Sequence, residues 1–193
     1  LGHLGALEFL EVYPYGCLEQ TVSKAFPWLA AEELLVLAKR EYRDPAFIRS
    51  RVERGIAQVV SMRVSGGGFG FWPRDPDVYS WGTGYALLFL ARAKEAGYAV
   101  PEAVLDQACR QLELNLGAWL RDGEKELAAT ALAALGAAGR PDQASLTRLL
   151  QFEAKMDRDT AAWTALALLS AGRRQEAAAW LGRMEIGSPS AIH

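Results

Sequence analysis

Tyr85-Ala86-Leu87-Leu88-Phe89-Leu90-Ala91 returns, little changed, as Thr130-Ala131-Leu132-Ala133-Ala134-Leu135-Gly136 and as Thr164-Ala165-Leu166-Ala167-Leu168-Leu169-Ser170. The shared form is (Tyr/Thr)-Ala-Leu-x-x-Leu-small. Its apolar positions recur at helical spacing, and the repeated alanines let helices approach closely while the leucines fill between them. The copies begin 45 and then 34 residues apart, room for one helical hairpin per repeat. Hairpins stacked in series give either an open solenoid or a closed α/α toroid. No stretch of the chain reads convincingly as a strand, so the expected class is all-α.

Outward from the repeats, helices are expected from about Ser80 to Ala96, Pro101 to Leu116, Lys125 to Ala138, Asp142 to Lys155, Asp159 to Ala171 and Arg173 to Met184. Gly97, Gly139 and Gly172 stand where C-terminal caps belong. Toward the amino end, Asp44-Pro45 starts a helix that runs to about Met62, with an acidic cap and a proline in its first turn. Leu18 to Arg40 is helical in pattern, but Pro27 lacks an amide proton and is expected to split it into two shorter helices. Leu4 to Val12 forms a short helix stopped by Pro14. Ser65 to Ser80 mixes glycines and prolines with Phe69, Phe71, Trp72 and Tyr79, the composition of a structured loop.

The chain of 193 residues is long enough for one domain with a substantial core, and 51% hydrophobic against 23% charged residues marks a folding sequence. The formal net charge is -2, with both signs interspersed, so no basic patch points to nucleic acid or an anionic membrane surface. Every apolar run is broken by Lys, Arg or Glu before it reaches the length of a bilayer span. The chain opens at Leu1 without a leader and reads as a piece of a longer protein. Of the two cysteines, Cys109 lies among apolar neighbours and reads as a small buried thiol rather than a disulfide partner for Cys17. His3 and His193 are the only histidines, which leaves little from which to build a zinc site or a Cys-His hydrolase.

The chemistry lies ahead of the repeats, in Tyr13-Pro14-Tyr15-Gly16-Cys17-Leu18-Glu19-Gln20. A thiol and a carboxamide three positions apart at the start of a helix meet on one face. If the Cys17 sulfur attacks the Gln20 side-chain carbonyl and ammonia leaves, the chain closes on itself as an internal thioester, an acylating group that needs no cofactor. Gly16, without a Cβ, lets the backbone turn tightly beside the reacting atoms.

These residues carry a resemblance. Cys17-Leu18-Glu19-Gln20 resembles the Cys-Gly-Glu-Gln thioester motif of the alpha-2-macroglobulin and complement family, and the eight residues from Tyr13 are similar to its bacterial form. Pro27, the Gly66-Gly67-Gly68-Phe69-Gly70-Phe71-Trp72-Pro73 run, Tyr79-Ser80-Trp81 and the helix from Gly82 continue the likeness, which spans at least Leu10 to Pro101. The resemblance implies the toroid, one ring of helices inside another, with residues 1–193 as a single, incomplete thioester domain. An interrupted ring would leave apolar flanks facing water and favour self-association.

The resemblance also implies roles. Cys17 supplies the thiolate, Gln20 the acyl group that becomes attached to a target, and Glu19 orients the segment, unless it is simply a carboxylate favoured by the helix dipole. Tyr13 and Tyr15 shield the bond from water; Phe69, Phe71, Trp72 and Trp81 either share that task or are ordinary aromatics. The parent would be a broad-range protease inhibitor rather than an enzyme, periplasmic or in the cell envelope, without metal or cofactor. A protease cleaves a bait region elsewhere, the molecule rearranges, and the uncovered thioester captures the attacker. Its partners would be target proteases, held covalently, and the other domains of the parent. Family members that transfer to hydroxyl groups use a histidine relay, whose position falls near Leu112, where no histidine stands. Attack by lysine amines is therefore expected. Two other classes stay open: a toroidal lipid-processing enzyme of the prenyltransferase or terpene-cyclase kind, and a helical-repeat binding module in which the Cys-Gln pair is inert.

Overall fold

The three repeats become the inner helices of a two-layered, all-α structure. The computed structural model describes residues 16–31, 45–153 and 156–183. Among the described residues the helices are α1 (Leu18–Leu29), α2 (Pro45–Ser61), α3 (Ser80–Glu95), α4 (Glu102–Asp122), α5 (Lys125–Ala137), α6 (Gln143–Leu150), α7 (Arg158–Ser170) and α8 (Arg174–Arg183). The odd-numbered helices pack in series, α1 on α3, α3 on α5 and α5 on α7, and each even-numbered helix folds back on the odd one before it. This is the hairpin-per-repeat arrangement that the spacing predicts. The β-pairing among the described residues is one isolated bridge, Arg63 to Phe69.

The two layers differ in how their sequences are buried. Eight consecutive residues of α5, Ala128 to Leu135, are buried, so this helix has neighbours all round, as an inner element must. The outer α4 buries only Val104, Leu105, Ala108, Cys109, Leu112, Leu116 and Leu120, one stripe at helical spacing, and turns Leu114 to solvent. Small residues set how near the inner helices come. A Cβ on Gly84 of α3 would lie 2.8 Å from the Thr130 methyl of α5, and one on Gly136 of α5 would lie 2.8 Å from the Ser170 Cβ of α7.

Several boundaries differ from expectation. Pro27 lies inside the last turn of α1, which ends two residues later at Leu29; a turn at Ala30 follows and the chain is helical again at Ala31, so the expected split falls just past the proline. The helix expected to stop at Leu116 runs on through Gly117 to Asp122 and is capped by Gly123 in the left-handed region, φ 81°. One glycine inside a helix costs only about 1 kcal/mol, less than the apolar contacts that Leu116 and Leu120 continue to make. The helix after Asp142 is shorter than expected, ending at Leu150. Gly97, Gly139 and Gly172 all take positive φ as caps. The expected helix at Leu4 to Val12, the Asp44 cap and the chain beyond Arg183 lie outside the described residues.

Candidate thioester site

Cys17 is the N-cap residue of α1, with φ -64° and ψ 168°, and Gln20 is the third residue of the helix. Together they form a capping box: the Cys17 N–H donates to Gln20 Oε1 at 3.4 Å. The arrangement answers the orphan donors of a helix start. Here it brings the carboxamide back over the residue that carries the thiol. Cys17 is buried, Gln20 half-buried. Its position at a helix N-terminus favours negative charge developing on the Gln20 oxygen.

Two further ties hold the turn, and both come from the loop between α2 and α3. The Leu18 N–H, another orphan of the first turn, donates to the Phe71 carbonyl at 2.9 Å. The Tyr79 hydroxyl donates to Glu19 Oε1. The Tyr79 phenol is pushed well above the ordinary tyrosine range, first by burial and then by the Glu19 carboxylate, with smaller contributions from Cys17 and from Glu126 of α5. It therefore stays a donor at all working pH values.

The loop can do this because it is itself fixed. Gly67 and Gly68 take φ 92° and 79°, turning the chain so that Val64 N–H meets Gly68 O and Gly70 N–H meets Met62 O. Phe69 is fully buried, its N–H donating to Thr83 Oγ1 at 3.0 Å. Tyr79 N–H then donates to the Phe69 carbonyl at 2.8 Å, and the Tyr79 carbonyl accepts from Thr83 N–H at 2.8 Å. On the other side of the turn, Gln58 of α2 crowds Gly16, where a Cβ would lie 2.7 Å from Gln58 Nε2 and 3.1 Å from Thr21 Oγ1. Thr21 Oγ1 is buried with no hydrogen-bond partner.

The sequence-derived candidates fare differently. Cys17, Glu19 and Gln20 are brought together as expected. Tyr13 and Tyr15 lie outside the described residues. Phe69 is a core side chain, while Phe71 and Trp72 stay 37% and 42% exposed and stack edge to face, with Phe71 in turn edge-on to Tyr79. Trp81 continues the chain of rings toward Tyr85 and Trp163. The residues that sequence reasoning passed over are Tyr79 as the partner of Glu19 and Gln58 beside Gly16. Tyr79 was visible as an aromatic next to a helix start, but nothing local announces its contact with Glu19, 60 residues away. Cys17 and Cys109 are both free of disulfides. Among the described residues no group of His, Cys, Asp and Glu is placed to hold a metal ion, and no helix is long and apolar enough to cross a membrane.

An α/α-hairpin domain that presents a buried cysteine and a glutamine on the first turn of an inner helix is the class defined so far. The particular likeness is to the bacterial alpha-2-macroglobulins. The chain is 39% identical over 105 residues to alpha-2-macroglobulin of Escherichia coli K12, a match covering 53% of this chain and 6% of that protein. It is 37% identical over 106 residues to alpha-2-macroglobulin of Xylella fastidiosa Temecula1, covering 54% of this chain and again 6% of the relative. In structure it matches native E. coli alpha-2-macroglobulin, in a crystal structure running from domain MG7 to the C-terminus, with TM-score 0.72 and 25% identity over 94% of this chain and 30% of that one. Salmonella alpha-2-macroglobulin reacted with methylamine gives TM-score 0.72 and 26% identity over 91% of this chain and 12% of that one. Solved forms of the E. coli protein include one activated by trypsin and one activated by porcine elastase. No family model matches the chain. The likeness to bacterial alpha-2-macroglobulins thus holds in sequence over about half of the chain and in fold over most of it, and the chain spans about 6% of the length of those two relatives.

Proposed function

We propose that the chain is the thioester-bearing part of a protease-trapping protein, and that Cys17 and Gln20 close into an internal thioester. The observation that carries the reading is the capping box, in which Gln20 Oε1 accepts from Cys17 N–H. In the closing step the Cys17 thiol adds to Gln20 Cδ, and charge develops on Oε1, where the Cys17 N–H and the helix N-terminus favour it. The C–S bond forms, the C–N bond breaks, and the thiol proton leaves with ammonia. Opening is the reverse in kind: an amine of the attacker takes the acyl group and Cys17 leaves as thiolate. The protein acts once per molecule, as an inhibitor rather than a catalyst.

The alternating inner and outer helices support a place for these hairpins in an α/α ring, and the family resemblance read from the motif suggests a periplasmic or envelope location in a parent with further domains. Neither the lipid-processing enzyme nor the inert binding module is favoured by these relatives. The test uses the full-length protein. Before treatment it should lack a titratable Cys17 thiol and weigh less by one ammonia, and methylamine should release the thiol. A Gln20→Ala protein should show the thiol from the start. A free Cys17 in freshly isolated wild type, with no mass deficit, would sink the reading.

A further inference from the structure

Leu18 and Glu19 are the two residues that separate the thiol from the carboxamide, and each is tied to the loop between α2 and α3. Leu18 is held through its main chain by the Phe71 carbonyl, and Glu19 through its carboxylate by the Tyr79 hydroxyl. Tyr79 is anchored on every side. It is the N-cap of α3, its N–H and carbonyl are both bonded within the loop and helix start, and its ring stands edge-on to Phe71 at 5.2 Å. Space for that ring is reserved by Gly82, where a Cβ would fall 2.4 Å from Tyr79 Cδ1 and 2.8 Å from Leu18 Cδ2. A phenol so fixed, donating to a carboxylate, makes a charge-assisted hydrogen bond with little further ordering entropy to lose.

We propose that Tyr79 is a positioning residue of the thioester turn, acting through Glu19 to hold the Cys17 and Gln20 side chains in the opposed geometry that closes the bond and protects it. The proposal rests on the thioester reading above. Tyr79 touches neither reacting atom in this account. It fixes the residue between them, so that the turn cannot open to admit water or a small amine. Glu19 then serves as the handle of the turn, which accounts for a carboxylate at that place better than the helix dipole alone. The dipole would be satisfied by any acid in the first turn, whereas the hydrogen bond needs one that reaches Tyr79.

The experiment measures the rate at which methylamine releases the Cys17 thiol in the full-length protein, for wild type, Tyr79→Phe, Glu19→Ala and the double variant, with thermal unfolding followed in parallel. Tyr79→Phe keeps the ring and its contacts and removes only the hydroxyl. It should speed release by about tenfold, the order expected for loss of one charge-assisted hydrogen bond. Glu19→Ala should do the same without touching the ring, and the double variant should be no faster than either single one, because one bond is lost in all three. Tyr85→Phe, which removes a hydroxyl bonded to Ser23, should release at the wild-type rate. A Tyr79→Phe rate equal to wild type, or effects that multiply in the double variant, would overturn the proposal while leaving the thioester intact. A wild-type protein with a free thiol at the outset would instead remove the thioester reading itself.

Discussion

The two cysteines show how much a thiol's surroundings decide. Cys17 stands at a helix N-terminus beside a carboxamide, whereas Cys109 is packed into the apolar stripe of α4, where burial pushes its thiol up to about 11. A thiol that ionises so late is a poor nucleophile at neutral pH. In the folded protein after methylamine treatment, alkylation should therefore label Cys17 alone, and Cys109 should react only on unfolding; labelling of both at equal rates would count against this burial. The same shift has a signed effect on stability. The folded state holds the Cys109 proton more tightly than the unfolded chain, where a thiol titrates near 8.5. Stability linked to Cys109 is complete below that pH and is lost as the pH rises toward about 11, which alkaline denaturation of wild type against Cys109→Ala would reveal.

At the scale of helices, glycine has opposite meanings in the two layers. On the inner α5, a Cβ at Gly136 would meet Ser170 Cβ at 2.8 Å and the Ser170 carbonyl carbon at 3.0 Å, and backbone cannot move aside as a flexible side chain would. Gly136→Ala should destabilise by about 1–3 kcal/mol through overpacking, offset in part by the gain in helix propensity. On the outer α4, Gly117 has only the end of Arg121 nearby, at 3.7 Å, so Gly117→Ala should stabilise by up to about 1 kcal/mol. Denaturant unfolding of both variants checks the contrast, and equal effects at the two sites would show that the layers are packed alike. The repeats were legible because their small residues mark these approaches. The ends of helices were less so. Gly117 reads as a break from local propensity, and the apolar contacts of Leu116 and Leu120 on either side overrode it. At the site, Cys17 and Gln20 were legible because the capping box is local. Tyr79 and Gln58 were not, since their contacts depend on how hairpins far apart in the chain are stacked.

For the whole molecule, the residue at the expected relay position bears on what the proposed thioester would take. Leu112, where the family resemblance puts the relay, is a buried side chain of α4, in place of a base that could carry an acyl group to a hydroxyl. On the thioester reading proposed above, a target would then attack the bond directly, and a neutral amine is much the better nucleophile. Activated by protease in equal labelled amine and glycerol, the full-length protein should incorporate the amine and form hydroxylamine-resistant links to lysine. Predominant glycerol incorporation would reverse the conclusion.

The ties from Phe71 and Tyr79 to the first turn of α1 also bear on how the molecule comes into being. A ribosome makes Cys17 and Gln20 early and their supports much later, with Tyr79 following Glu19 by 60 residues. Throughout that interval the nascent chain carries a thiol and a carboxamide in sequence but not the loop that fastens the turn between them. On the thioester reading, the reactive group would belong to the finished hairpin stack rather than to the eight-residue motif, and a chain that stops short of Phe71 has the letters of the motif without either of these two fastenings.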